Sequence, residues 1–181
     1  AGQEVLSPWG RYLTWTFSTP MILLALGLLA GTDRSKLFTA ITMDIGMCVT
    51  GLAAALITSS YLLRWVFYGI SCAFFLAVLY VLLVEWSRDA AAAGTSEIFG
   101  TLKLLTVVLW LGYPILWALG SEGFALLDVA TTSWGYSLLD IGAKYLFAFL
   151  LLRWVAANER VVDAVSSGAS TGVGSATAAD D

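Results

Sequence analysis

Histidine is absent from this 181-residue chain, charged residues make up only 12% of it, and proline occurs three times. With no histidine, and with two cysteines at no zinc spacing, neither a metal centre nor a catalytic residue is assigned. Cys48 and Cys72 both fall inside apolar runs, where a thiol behaves as a small hydrophobe and not as half of a disulfide. Basic residues number nine against thirteen acidic ones, a net charge of −4, which argues against nucleic acid as a partner. The acids sit in loops and in the tail, and an acidic surface fits a high-salt habitat.

What is present in excess is apolar. Hydrophobic residues make up 59% of the chain, against about 45–50% in a soluble domain, and the mean hydropathy is +0.84. A helix needs about 20 apolar residues to cross a bilayer. Five segments reach that length: Trp9–Ala30, Leu37–Ile57, Leu62–Trp86, Ile98–Leu119 and Ser133–Ala156. The runs are apolar all round and lack the period-two alternation of a barrel, so the expected fold is an all-α, antiparallel transmembrane bundle over residues 1–160. Residues 161–181 turn to Ser, Gly, Ala, Thr and Asp and are expected to form a disordered tail. At the other end, Ala1–Pro8 show no signal-peptide pattern. Arg34, Lys36, Arg88, Lys103, Arg153 and Arg160 fall at one end of the expected bundle, and only Arg11 and Arg64 at the other. That bias places the C-terminus in the cytoplasm of a cell-membrane protein.

Ionisable residues at membrane depth are costly and usually functional. Asp140 and Lys144 stand four apart on the last helix, one turn apart on one face. They are either a neutralising ion pair or a Schiff-base lysine with its counter-ion, since a buried lysine readily forms imines. Asp44 is the third such residue, and nothing in the sequence pairs with it. On the first helix Arg11, Thr14, Trp15 and Ser18 recur at helical spacing, with Pro20 beyond them. Trp110, Tyr113 and Trp117 flank Pro114 on the fourth, the makings of a ring-lined slot beside a hinge, as a long conjugated ligand would need.

Three stretches, in order, carry a resemblance. Arg11 to Pro20, Trp110 to Trp117 and Leu139 to Lys144 resemble the third, sixth and seventh helices of the microbial rhodopsins, and the match is closest to their chloride-pumping branch, the halorhodopsins. The resemblance covers Trp9 to about Arg160. It implies all-trans retinal bound covalently to Lys144, with Asp140 as counter-ion, among Trp15, Trp110, Tyr113 and Trp117. Met47, Gly51, Ser71 and Phe75 would surround its ring end. It implies an anion site at Thr14, Ser18 and Asp140 with Arg11 nearby, and a cytoplasmic exit at Lys103 and Thr106, although the family usually has arginine at the first of these. Asp44 matches a buried acid near the ring end, expected to be protonated and structural.

Thr14 and Ala25 stand where the family's proton pumps carry carboxylates, and Thr132 where they carry a proton-release glutamate. The activity implied is therefore light-driven inward chloride transport, not catalysis. A sensory photoreceptor coupled to a membrane transducer, a proton pump and a non-retinal membrane protein are the rivals. Chloride and membrane lipid are the implied partners, with a trimeric homo-oligomer by family resemblance. The family has seven helices and this chain supplies the last five, so the first two are expected upstream.

Overall fold

The structure, a computed structural model, describes residues 9–160. Ala1–Pro8 and the expected tail over 161–181 lie outside the described residues. The described chain forms five helical rods: α1 (Trp9–Ala30), α2 (Arg34–Leu56), α3 (Tyr61–Tyr80) running on into α4 (Trp86–Ala93), α5 (Ser96–Leu119), and α6 (Val129–Asp140) running on into α7 (Phe147–Ala157). Two of the rods contain a wide π turn, Val81–Glu85 between α3 and α4 and Ile141–Leu146 between α6 and α7.

Local chemistry sets the ends. Gly31 adopts φ +63, and the amide of Thr32 returns to the carbonyl of Gly27, so α1 closes in a left-handed turn that favours glycine. Gly94, at φ +75, closes α4 in the same way, with Thr95 N donating to Ala90 O. Asp33, Ser60 and Asp128 cap α2, α3 and α6 by accepting from the amides of Lys36, Leu63 and Thr131. Asp128 is held below the usual carboxylate range by the hydrogen bonds from Thr131.

These caps move the helix ends away from the hydropathy limits. The second rod begins at Arg34 instead of Leu37, and the fifth at Val129 instead of Ser133. The largest difference is at the third rod. The stretch from Ser87, expected as a connection, continues helically to Ala93, because four consecutive alanines are the best helix formers and the first stop is Gly94.

Four rods, Trp9–Ala30, Arg34–Leu56, Tyr61–Ala93 and Ser96–Leu119, are long and apolar enough to cross a membrane. The fifth contains a π turn and carries Asp140, Lys144 and Arg153. α1 packs against α2, α4 and α5, while α2 pairs with α3, and α5 with α6 and α7. The α5–α6 seam is close because leucines of one rod sit on glycines of the other. A Cβ on Gly112 would stand 2.8 Å from Leu139, and one on Gly135 would stand 2.8 Å from Leu116. That seam fixes Asp140 and Lys144 beside the aromatic face of α5.

Thr95 Oγ1 donates to Leu29 O, and Asp89 accepts from Thr32 and Lys36. These bonds bring the α1–α2 and α4–α5 connections to one end of the bundle, the end with most of the positive residues. Arg64, donating to the carbonyls of Ile57 and Glu122, ties the opposite end.

Candidate functional site: an aromatic cleft ending at a lysine–aspartate pair

Between α1, α2, α3, α5 and α6 lies a cleft of about 640 Å3, counted out to its open mouth. All eight residues expected around the chromophore chain and ring line it: Trp15, Met47, Gly51, Ser71, Phe75, Trp110, Tyr113 and Trp117. Tyr12, Cys48, Tyr68, Cys72, Pro114 and Tyr136 line it too. Sequence reasoning left these six out of the wall, although spacing pointed to several. Tyr12 stands three before Trp15, Tyr136 four before Asp140, and Tyr68 three before Ser71, all helix-face intervals. Both cysteines are free thiols.

The rings lock one another. Trp15 meets Tyr12, Tyr113 and Tyr136 edge-on at centroid distances of 5.1, 4.9 and 5.3 Å. Tyr68 stacks on Trp117 at 4.4 Å and donates to the carbonyl of Pro114 at 3.0 Å. Gly51 permits a close approach: a Cβ there would stand 3.1 Å from the Tyr12 ring and 3.2 Å from Ser71 Oγ.

Asp140 is joined to the cleft by two of its lining side chains. Its Oδ1 accepts from Tyr113 Oη at 2.7 Å and from Trp15 Nε1 at 3.1 Å, and lies 2.9 Å from Lys144 Nζ. Lys144 lies within the π turn Ile141–Leu146, the kind of local widening that recurs at functional sites. Nothing in the sequence marked that turn. The two side chains are 21% and 28% exposed, so the pair is sheltered but not sealed.

The other expected anion-site residues are distributed unevenly. Arg11 lies 4.2 Å over the Tyr136 ring and donates to Ser133 Oγ at 3.3 Å. No carboxylate lies within ion-pairing distance of it among the described residues. Ser18 Oγ is buried and has no hydrogen-bond partner. Thr14 lies on an exposed flank of α1 and donates to Gly10 O at 2.9 Å. The polar face read from the sequence is thus divided: Arg11, Trp15 and Ser18 follow one line along the helix, with Thr14 at its edge. Glu122, in the connection before α6, is pushed up by burial, while Arg11 and Arg64 pull its carboxyl back. Toward the other end, Lys103 Nζ donates to Ser87 Oγ at 2.7 Å, and Thr106 Oγ1 is buried without a partner.

Asp44 is fully buried and does have a partner: Thr19 Oγ1 donates to its Oδ2 at 2.6 Å, while Oδ1 has none. Thr19 comes from α1, so only the packing of α1 on α2 could reveal the bond.

Comparison with known proteins places these features in a family context. The bacteriorhodopsin-like protein family matches residues 2–158. Cruxhalorhodopsin-3 of Haloarcula vallismortis is 83% identical over 181 residues, covering 100% of this chain and 65% of that relative. A solved structure described as halorhodopsin, a light-driven chloride pump, superposes with a TM-score of 0.85 at 68% identity, covering 86% of this chain and 66% of that one. The bromide-bound form of halorhodopsin from Halobacterium salinarum gives 0.86 at 67% identity, covering 90% and 67%. The chain thus spans about two-thirds of the length of the curated relatives it matches.

Proposed function

The chain belongs to the bacteriorhodopsin-like protein family, and from that premise we propose that it is a light-driven pump carrying chloride and other halides inward, with retinal held on Lys144 Nζ as a protonated Schiff base. The observation that carries this reading is the ring-walled cleft joined through Trp15 and Tyr113 to the Lys144–Asp140 pair. The residues present fit such a group. The wall is mostly aromatic and apolar, Tyr12 and Ser71 close on Gly51, where no side chain intrudes, and an amine stands beside the cleft. Retinal, when bound, supplies absorption of visible light and a change of shape that re-aims the N–H at Lys144.

The protein's own residues supply the rest. Asp140 balances the charge at Lys144, and Trp15 and Tyr113 fix its carboxylate by donating to it. Arg11, Arg64 and Lys144 are three cations, against Asp140 and Glu122, so at most two negative charges oppose them. At least one positive charge is left over in a low-dielectric interior, where uncompensated charge is expensive. A mobile anion offsets that surplus. The unpartnered Ser18 hydroxyl is a donor for such an anion, Thr14 could join it only by leaving Gly10 O, and neither accepts a proton from Lys144 as a carboxylate would. Lys103 and Thr106 form the cytoplasmic exit.

A sensory photoreceptor or a proton pump would share the cleft and the pair, but Thr14 and Ala25 offer no carboxylate for proton transfer. The excess of positive residues at one end supports a cytoplasmic C-terminus. The resemblance alone supports a homo-oligomer, a trimer, in the lipid plane. The visible spectrum of the complete pigment, titrated with chloride against a sulfate background, tests the reading. A saturable shift of the absorption maximum is expected. A spectrum indifferent to chloride up to molar concentration would remove the halide from the site.

A further inference from the structure

Many serine and threonine hydroxyls inside these helices return to the carbonyl four residues back. Thr16 donates to Tyr12 O, Thr42 to Phe38 O, Thr101 to Glu97 O and Ser137 to Ser133 O. Ser87 reaches five back instead, donating to Leu82 O at 3.0 Å. The cause is the π turn Val81–Glu85, which admits one extra residue per turn and rotates everything after it about the helix axis. Ser87 is thereby turned toward α5, where its oxygen accepts from Lys103 Nζ at 2.7 Å.

Lys103 is an unusual cation. It is half-buried, two turns inside α5, and no carboxylate lies within 4 Å of it among the described residues. Its only hydrogen bond there is to Ser87, and the Phe99 ring lies 5.7 Å away. One turn deeper on the same face, Thr106 Oγ1 is buried and unpartnered. A fixed positive charge about one helical turn from an unused hydroxyl is an arrangement that attracts an anion.

We propose that Ser87 is the positioning residue for Lys103: the π turn aims its hydroxyl so that the ammonium is held in one place at the cytoplasmic end of the anion path, about a turn outside Thr106. This rests on the chloride reading above. Ser87 touches neither the cleft nor the Lys144 pair, so its influence falls on the departure of the anion and not on its binding in the dark. A lysine freed from Ser87 keeps its charge but spreads over many rotamers, and less of the time offers a landing site.

The experiment is flash photolysis of the complete pigment with retinal, following the chloride-dependent return to the dark spectrum in wild type, Ser87→Ala, Ser87→Thr, Lys103→Ala and the Ser87→Ala/Lys103→Ala double variant. Loss of one charge-assisted hydrogen bond at a half-exposed site corresponds to roughly a three- to tenfold slowing in Ser87→Ala. Ser87→Thr should restore the rate to within about twofold, as it keeps the hydroxyl. The double variant should be no slower than Lys103→Ala, as two residues acting as one unit are non-additive. Chloride affinity in the dark should not change. A wild-type return rate in Ser87→Ala, multiplying effects in the double variant, or a weakened dark affinity in Ser87→Ala would each overturn the assignment. A wild-type spectrum that ignores chloride would defeat the pump reading itself, and this inference with it, and is recognised before any variant is compared.

Discussion

Asp140 and Asp44 are both carboxylates inside the bundle, yet one is met by three donors and the other by one. An ammonium, an indole and a phenol converge on Asp140 within 3.1 Å, from three different rods, and its side chain keeps 28% exposure. Asp44 is wholly buried, takes one hydroxyl from Thr19 and leaves an oxygen unsatisfied. The contrast teaches what makes an intramembrane acid a working charge. A charge in low dielectric persists only where its partners are assembled, and the packing of α1 and α5 against the fifth rod assembles them around Asp140. Asp44 is instead built into the α1–α2 contact as a hydrogen-bonding group.

The sharpest way to break this contrast is to remove the cation. Lys144→Ala should abolish covalent retinal attachment altogether, because Lys36 binds Asp89 at the charged end and Lys103 binds Ser87. Visible colour that resists hydroxylamine in that variant would show that the amine lies elsewhere. A finer comparison exchanges the two acids for their amides. Asp140→Asn strands the ammonium beside a neutral group, and after allowance for exposure should destabilise the pigment by about 1–3 kcal/mol. Asp44→Asn keeps an acceptor for Thr19 and should cost about 1 kcal/mol or less. Thermal bleaching of the two pigments measures the difference. Equal losses would mean that Asp44 also carries charge.

Most of the fold was legible because a membrane makes length and apolarity decisive, and the five runs could hardly be anything but helices. The ends were less legible, since a hydropathy window does not see Asp33, Asp128 or Gly94, whose roles are hydrogen bonds and backbone angles. The Lys144–Asp140 spacing could be read because both lie on one rod. The Thr19–Asp44 and Lys103–Ser87 bonds could not, since each joins two rods. The two π turns were invisible for a further reason: neither contains a proline or any residue type peculiar to it. They are also the features that orient Lys144 and Ser87.

Light-induced pH change around vesicles or cells carrying the complete pigment tests most directly whether the surplus positive charge is answered by an anion. With chloride present, inward pumping should draw protons in passively, and a protonophore should enhance that uptake. With chloride replaced by sulfate, the signal should vanish. Thr14→Asp, which adds a fixed negative charge on the α1 side, should lose the chloride-dependent signal. Acidification of the medium by the wild type without chloride, abolished by protonophore, would mean that the protein moves protons and that the chloride account is wrong.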